Sequence, residues 1–360
     1  EEMDAPHIHK WLKPLSALYG AGVRLRNYLF DKNVLKSVSY PLPIVCVGNI
    51  TVGGTGKTPH VEYLIRLLHT HYRLAVVSRG YKRKTKGMII ASADSSAQEI
   101  GDEPCQIKQK FPFLTVVVDA DRRRAIAYLC DLPSEQRPQL ILLDDGYQHR
   151  RVRADFSIVL TDYNRILSKD CLMPAGRLRE PIRALHRADT VILTKCPSNL
   201  APIELRAAER DLALYPHQKL FFSQLCYQSE LTPLFPDQPL HPTASSTLVI
   251  AGIANSEPFF HEIRSRFPIV TERIYPDHHE FTEKDIRILI KEWSDLDRKE
   301  NTIIVCTEKD AMRLLLWRSS FPEKMLSRLF FLPVEAKLMF DQECGFVNKL
   351  LGAIQNKLPS

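Results

Sequence analysis

Short apolar runs alternate with stretches of helical periodicity along most of the chain. The runs contain few polar residues, which is typical of strands that are buried on both faces of a parallel sheet. Such strands are predicted at 44–47, 74–78, 114–118, 140–143, 156–160 and 190–193. Because helical patterns separate these strands, the sequence predicts an α/β fold with a mainly parallel sheet and helices on both faces.

A stretch rich in Pro and Ser, 231–246, interrupts this alternation and is predicted to be a linker. A second, smaller α/β unit is predicted beyond it, with a helix near Glu283–Trp293 and strands at 248–252, 269–275 and 303–306. The predicted organisation is an N-terminal segment (1–30), a first domain (31–230), the linker, and a second domain (247–360). The C-terminal helix of the second domain could pack back on the first.

The run at 44–47 leads into a glycine-rich loop and then into a helical pattern that begins with Gly-Lys-Thr. This strand–loop–helix order predicts a phosphate-binding loop of the P-loop NTPase type, in which backbone N–H groups and the helix N-terminus face phosphate oxygens. In such a loop Lys57 reaches the β- and γ-phosphates, and the Thr58 hydroxyl ligates Mg²⁺. The candidate nucleotide-binding residues are Gly53, Gly54, Thr55, Gly56, Lys57 and Thr58.

One position departs from the usual spacing, which would place glycine where this chain has Thr51. We therefore predict a variant loop whose tight turn is built by Gly53 and Gly54. The alternative is an ordinary glycine-rich turn between a strand and a helix, which the intact Gly-Lys-Thr disfavours.

Acidic pairs follow two other predicted elements. The strand at 140–143 ends in Asp144 and Asp145, as expected of a buried strand that delivers a carboxylate to Mg²⁺. Asp102 and Glu103 precede a proline at the start of a helical segment. They could cap that helix, or they could supply a metal ligand and a general base.

The chain of 360 residues has a formal net charge of +7, which favours anionic partners such as nucleotides, phosphorylated substrates, anionic lipids or nucleic acid. Its eight cysteines are scattered without a C-x-x-C pair, so we expect a reducing compartment and no structural zinc. No apolar run is long enough to span a membrane, and no signal-peptide pattern is visible. We therefore expect the chain to stay in the cytosol.

Residues 5–30 contain no acidic residue and interleave four basic residues with apolar and aromatic ones. Pro14 would lie in the first turn of a helix, which places Leu15, Leu18, Tyr19 and Val23 near one face. Two interpretations stay open. The segment is either a basic amphipathic helix that lies in a membrane interface, or a helix that docks on the core of its own domain.

Taken together, these motifs resemble those of the tetraacyldisaccharide 4′-kinase family, the lipid A 4′-kinases of Gram-negative bacteria. The resemblance covers nearly the whole chain, and its specificity comes from the order and spacing of motifs that are weak to moderate alone. Thr51 fits the variant loop of that family. The motifs are Pro-Leu-Ser-Ala-Leu-Tyr at 14–19, Val-Gly-Asn-Ile-Thr-Val-Gly-Gly-Thr-Gly-Lys-Thr-Pro at 47–59, Ser-Arg-Gly-Tyr at 78–81, Gly-Asp-Glu-Pro at 101–104, Asp-Asp-Gly-Tyr-Gln-His at 144–149, Pro-Ala-Gly-Arg-Leu-Arg-Glu-Pro at 174–181, Pro-Asp-His-His at 276–279 and Thr-Glu-Lys-Asp at 307–310.

The resemblance implies an ATP- and Mg²⁺-dependent kinase that phosphorylates the 4′-hydroxyl of a tetraacylated glucosamine disaccharide 1-phosphate to give lipid IVA. It implies a peripheral or monotopic protein on the cytoplasmic face of the inner membrane, with no nucleic-acid partner and no obligate protein partner legible.

The resemblance also assigns roles to residues by motif. Lys57 acts on the transferred phosphoryl group, and Asp102, paired with His278 of the second domain, receives the hydroxyl proton. Thr58, Glu103 and Asp145 are implied metal ligands. The positions implied to line the site are Tyr81, Arg122, Asp144, Gln148 and Arg179.

Three other functions are compatible with parts of the sequence. The first is a P-loop kinase or ATPase that acts on a soluble metabolite, although such an enzyme has no need of the basic apolar N-terminus. The second is a nucleotide switch, because Thr-Lys at 194–195 and Thr-Glu-Lys-Asp at 307–310 faintly resemble base-recognition motifs of GTPases. The third, nucleic-acid binding, has weaker support because no known binding module is legible.

Overall fold

The computed structural model describes residues 8–165, 167–237, 246–268, 271–296 and 301–358. The strands in these ranges are β1 (Ile44–Asn49), β2 (Leu74–Ser78), β3 (Ile89–Ile90), β4 (Thr115–Val118), β5 (Leu140–Asp144), β6 (Phe156–Asp162), β7 (Thr190–Thr194), β8 (Lys219–Tyr227), β9 (Thr232–Pro233), β10 (Ser246–Ala251), β11 (Thr271–Ile274), β12 (Thr302–Thr307), β13 (Leu329–Leu332) and β14 (Val334–Leu338). The α-helices are α1 (Lys13–Asp31), α2 (Lys57–Leu68), α3 (Ala97–Ile100), α4 (Asp102–Lys110), α5 (Arg122–Asp131), α6 (Pro202–Leu212), α7 (Glu257–Arg266), α8 (Glu283–Ser294), α9 (Glu308–Leu314), α10 (Glu323–Leu326) and α11 (Glu343–Gln355).

Within the described ranges these strands form two sheets, which confirms the predicted α/β class. The first has nine strands in the order β14-β8-β7-β6-β1-β5-β2-β4-β3, and the second has five in the order β11-β10-β12-β13-β9. Pairing is parallel except at β3–β4, β14–β8 and β13–β9. The carboxyl ends of β1, β5 and β2 are neighbours, which is where open α/β sheets bind ligands.

At both ends of the second unit, the chain contributes a strand to one sheet close to where it leaves the other. Thr232 and Pro233, which lie in the predicted linker, form β9 and pair with β13, and residues 238–245 of that linker lie outside the described residues. After β13 the chain returns to the first sheet, where β14 pairs with β8. The C-terminal helix α11 also packs there, with the ring of Phe346 5.3 Å from that of Phe221.

One buried cluster spans the two sheets. Val47 and Leu142 of the first sheet belong to the same cluster as Ile250 and Ile304 of the second, and all four are fully buried. Burial of apolar surface is the main favourable term in folding, so this shared core fixes one sheet against the other.

Helix starts in the site region depend on specific residues. Gly101 adopts φ 94° directly before α4, and a Cβ there would lie only 3.0 Å from the Tyr81 carbonyl oxygen. Glycine is therefore required where the chain turns to present Asp102 and Glu103. Helix α9 is capped by Thr307, whose side chain accepts a hydrogen bond from the Asp310 N–H.

Helix α1 has one docked face and one exposed face. Ser16, Gly20 and Phe30 are buried against the first unit. The exposed apolar side chains on α1 and the turn before it are Trp11, Leu15, Leu18, Leu25 and Tyr28. In the part of the chain that the structure describes, no helix has both the length and the apolar character needed to cross a bilayer.

Candidate active site

The loop between β1 and α2 turns through two glycines in the left-handed region, Gly53 at φ 104° and Gly56 at φ 80°. Gly54, which lies between them, does not have a positive φ. Thr55 is fully buried, and its hydroxyl accepts a 2.9 Å hydrogen bond from Asn49 Nδ2. The loop is thus pinned to the end of β1, and the N-terminus of α2 opens directly after Gly56.

Lys57 and Arg179 converge on Asp145 at the end of β5. Lys57 Nζ lies 3.6 Å from Asp145 Oδ1, and Arg179 Nη1 lies 3.3 Å from Oδ2. Burial opposes the ionisation of Asp145, but the positive charges of Lys57 and Arg179 outweigh it and lower the pKa of this carboxyl. Asp145 is therefore an ionised group next to the loop.

The neighbouring Asp144 has a different environment. Its Oδ2 accepts a hydrogen bond of 3.1 Å from the Ser78 hydroxyl, and its Oδ1 is buried with no hydrogen-bond partner among the described residues. Burial, together with the negative charges of Glu103 and Asp145, raises the pKa of Asp144 to about 7. The pKa values of the two adjacent aspartates thus move in opposite directions, because cations offset burial at Asp145 whereas neighbouring carboxylates add to it at Asp144.

Glu103, in the first turn of α4, meets a cation from the second unit. Lys309 Nζ on α9 lies 3.3 Å from Glu103 Oε1. Burial alone would raise the pKa of Glu103, yet the charges of Lys309 and Lys57 lower it. Glu103 Oε2 accepts no hydrogen bond among the residues described, so this oxygen is available to a further ligand.

Asp102 binds two side chains from the second unit, both at Oδ2. His278 Nδ1 lies 3.4 Å away, and Arg313 donates from Nη2 at 2.6 Å and from Nε at 3.0 Å. Burial would raise the pKa of Asp102, but the hydrogen bonds from His278 and Arg313 and their charges lower it to about 2. The structure therefore brings the predicted pair Asp102 and His278 together across the two sheets.

The remaining predicted lining residues surround this cluster. The Tyr81 ring is 59% exposed and lies edge-on to His278, with 5.8 Å between ring centroids. Gln148 Nε2 donates to the Asn49 carbonyl at 2.6 Å. Buried Arg122 donates from Nη2 to the Asp145 carbonyl at 3.3 Å. Tyr81 thus faces the cleft, whereas Gln148 holds the backbone at the end of β1 and Arg122 holds the backbone at Asp145.

Sequence reasoning named Thr-Glu-Lys-Asp at 307–310 but assigned no site role to Lys309, and it did not identify Arg313. Both cations lie on α9 and reach the two carboxylates that open α4. Their spacing of four residues places them on one face of a helix, and an apolar strand precedes that helix. This spacing was the signal in the sequence, but it does not reveal which carboxylates the two cations meet.

The acidic residues fit a Mg²⁺ ion that is shared with a nucleotide. Among the described residues, no three His, Cys, Asp or Glu side chains are grouped closely enough to hold a metal by themselves. Mg²⁺ commonly binds through one or two carboxylates, a hydroxyl and substrate phosphates, so no protein cage is required. The ionised Asp145, the free Oε2 of Glu103 and the hydroxyl of buried Thr58 supply such a set.

The arrangement as a whole combines three elements needed for phosphoryl transfer. It has backbone donors at a helix N-terminus for phosphates, cations for developing negative charge, and a separate ionised carboxylate that can accept a hydrogen bond from a hydroxyl. Asp102 Oδ1, which receives no hydrogen bond from the residues described, is the oxygen left for that contact.

Comparison with known proteins identifies the family of the chain. A profile of the family described as Tetraacyldisaccharide-1-P 4'-kinase matches residues 8–355. A tetraacyldisaccharide 4'-kinase of Porphyromonas gingivalis is 70% identical over 356 residues, covering 99% of this chain and 100% of the relative. One of Bacteroides fragilis is 44% identical over 363 residues, covering 98% and 95%. The crystal structure of LpxK from Aquifex aeolicus in complex with ATP is similar, with a TM-score of 0.71 and 28% identity, covering 95% of this chain and 98% of that one.

Proposed function

The chain belongs to the tetraacyldisaccharide 4′-kinase family, and from that premise we propose how its residues transfer a phosphoryl group from ATP to the 4′-hydroxyl of a tetraacyldisaccharide 1-phosphate in lipid A biosynthesis. One observation carries the assignment of the site. The loop lysine, Lys57, contacts Asp145, while the adjacent α4 presents Asp102 to His278 of the other sheet.

The nucleotide is bound by the loop from Gly53 to Thr58. Backbone N–H groups of the loop and the first turn of α2 face the phosphates, and the positive end of the helix dipole adds to the attraction. Lys57 stabilises the negative charge that spreads over the transferred phosphoryl oxygens. Arg179, which lies on the other side of Asp145, contributes a second cation to the same region.

In this proposal Thr58, Asp145 and Glu103 would hold Mg²⁺. The ion would supply positive charge against the phosphates of the nucleotide. Lys309 pairs with Glu103 Oε1 and leaves Oε2 for the ion. Asp144 lies behind Asp145, where it accepts a hydrogen bond from the Ser78 hydroxyl and its pKa is raised to about 7 by burial and the neighbouring carboxylates.

Asp102 orients the acceptor hydroxyl and receives its proton. A carboxyl with a pKa of about 2 stays ionised, so it accepts a hydrogen bond at neutral pH but is a weak base. Weak basicity suits a loose transition state, in which the hydroxyl becomes acidic only as its bond to phosphorus forms. His278 and Tyr81 flank this carboxylate on the open side of the cleft.

The exposed face of α1 is proposed to bind the membrane surface. The same helix contacts the site on its docked face, where Tyr19 donates to the Arg179 carbonyl and Arg26 Nη2 donates to the Gln148 carbonyl, at 2.9 and 2.6 Å. An acylated substrate would therefore keep its chains near the lipid while its sugar reaches the loop. This supports a peripheral or monotopic enzyme at the cytoplasmic face of the inner membrane.

The division into two domains, with the site in the cleft between them, is likewise proposed. Residues 31–230 supply the loop and the carboxylates, and residues 247–360 supply His278, Lys309 and Arg313.

The direct test of the proposed activity is transfer of radiolabelled phosphate from γ-labelled ATP to purified tetraacyldisaccharide 1-phosphate, with a soluble sugar phosphate as control. Labelling of the soluble sugar at an equal rate would contradict the assigned acceptor.

A further inference from the structure

Arg313 is a nearly buried cation on α9 that reaches across the two units. Its side chain is 6% exposed, and it lies among three acceptors. Nε and Nη2 donate to Asp102 Oδ2, while Nη1 donates to Asp310 Oδ1 at 2.9 Å and to the Gly252 carbonyl at 3.3 Å. A guanidinium group is planar and carries its donors in a fixed fork, so these contacts fix its orientation.

The same side chain also supports His278. Arg313 Nη2 lies 3.4 Å from His278 Nδ1, and the Gly252 carbonyl that Arg313 contacts also accepts the backbone N–H of His278 at 3.3 Å. His278 has φ +60°, a conformation that residues other than glycine adopt only when their surroundings hold them there. Arg313 thus contacts both members of the Asp102–His278 pair and the backbone that positions one of them.

We propose that Arg313 is a positioning residue for phosphoryl transfer: it holds Asp102 by Oδ2 and holds His278 beside it, so that Asp102 Oδ1 faces the acceptor hydroxyl. The inference rests on the proposed role of Asp102. Among the described residues, Arg313 forms hydrogen bonds and ion pairs with Asp102, Asp310, Gly252 and His278, and with no residue of the nucleotide loop or of the set assigned to Mg²⁺. Its loss should therefore affect the acceptor side of the reaction and leave nucleotide binding unchanged.

A structural role must be separated from this one, because Arg313 also neutralises the fully buried Asp310. Truncation to alanine would leave a buried carboxylate unpaired and could unfold the second unit. The informative variant is Arg313→Lys, which keeps the charge near Asp310. A single ammonium cannot reproduce the fork that spans Asp102, Asp310 and the Gly252 carbonyl.

The test is a double-mutant cycle on the full chain with Arg313→Lys, Asp102→Ala and the double variant, assayed by phosphate transfer to tetraacyldisaccharide 1-phosphate. Arg313→Lys should lower kcat about 10-fold or more, since small displacements of a reacting group are costly. Its KM for ATP should stay within about 2-fold of the wild-type value. In the Asp102→Ala background the same change should alter kcat by less than about 2-fold, because the group it positions is gone.

Thermal unfolding would check that each variant is folded, and Arg318→Lys is the matched control. Arg318 lies five residues further on and forms an exposed ion pair with Asp237, so its variant should behave as wild type. Equal losses of kcat from Arg313→Lys with and without Asp102, or full activity of Arg313→Lys, would overturn the inference. Full activity of Asp102→Ala alone would instead overturn the proposed role of Asp102, and the inference with it.

Discussion

His278 Nδ1 lies 3.4 Å from Asp102 Oδ2 although the two residues are 176 positions apart in the chain. Each residue belongs to a different sheet unit. An unusual backbone conformation places each of them: Gly101, directly before Asp102, has a positive φ, and so does His278 itself. The contact therefore exists only when the two units are packed together. Any motion that separates them would break the site on its acceptor side while leaving the phosphate loop intact.

The losses of kcat caused by substituting Asp102 and by substituting His278 should not be additive. Asp102→Ala should lower kcat strongly with little change in the KM for ATP, because Asp102 contacts the acceptor rather than the nucleotide. His278→Ala should cost less, since Arg313 still holds the carboxylate. The double variant should be little slower than Asp102→Ala in steady-state transfer assays. Losses that multiply would show two independent residues.

Lys57→Ala should nearly abolish turnover, by on the order of 10²-fold or more, because it removes a cation from the transferring phosphoryl group. The fold should remain, since Lys57 is not part of the apolar core. Steady-state kinetics and thermal unfolding measure the two effects separately. Lys324→Ala, an exposed lysine of α10, is the control. Retention of most of kcat in Lys57→Ala would refute the assignment of the phosphate loop.

Asp145→Asn and Glu103→Gln should lose activity through weaker Mg²⁺ binding. Replacing a charged oxygen ligand by an amide lowers affinity for a hard cation, so raised Mg²⁺ or added Mn²⁺ should restore part of the rate. Titration of each metal against ATP binding, followed by nucleotide fluorescence, gives a readout that does not depend on turnover. Metal titrations that match those of the wild type would mean that these carboxylates are structural.

The raised pKa of the buried Glu308 carboxyl should make the free energy of unfolding depend on pH. Burial and the nearby Glu62 carboxylate raise its pKa from 4.5 to about 7, although Lys110 Nζ lies 2.7 Å from Oε1. Between these two pH values the folded chain binds a proton that the unfolded chain has released. The contribution of Glu308 to stability is thus present below pH 4.5 and is lost as the pH rises towards 7.

The variant Glu308→Gln cannot titrate, so the wild type should lose stability relative to it across this window. The slope of the difference is at most about 1.4 kcal/mol per pH unit, and it should vanish above the folded pKa. Urea unfolding of both proteins from pH 5 to 8 measures the difference directly. Parallel stability curves for the two proteins over this range would show that Glu308 is ionised in the folded state.

The double change Trp11→Asp and Leu18→Asp should weaken binding to vesicles that contain anionic lipid, several-fold or more. These side chains are 78% and 72% exposed, so the change removes apolar contact with lipid and adds repulsion without disturbing the docked face. Flotation of the protein with such vesicles should also weaken as salt is raised. Ile203→Asp, at a side chain that is 77% exposed on α6, is the control. If the control reduces flotation as much as the double change, α1 is not the binding surface.

The sequence alone determined the α/β class, the phosphate loop and the candidate carboxylates. Those features depend on local chemistry: apolar runs of strand length, glycines that tolerate positive φ, and acidic residues at the ends of buried strands. Gly53, Lys57 and Asp145 could be identified because each lies within a few residues of the pattern that explains it. The strand β14 and the short strand β9 were not predicted, since only pairing with distant strands makes them strands.

Tertiary structure decided the pairing of charges. The sequence does not show that the pKa values of Asp144 and Asp145 move in opposite directions, which happens because Asp145 faces Lys57 and Arg179 while buried Asp144 faces Ser78 and two carboxylates. Likewise, Arg313 and Lys309 meet Asp102 and Glu103 only because α9 packs on α4. Electrostatic interactions depend on distance and burial in the folded chain, and neither is recorded in the order of residues.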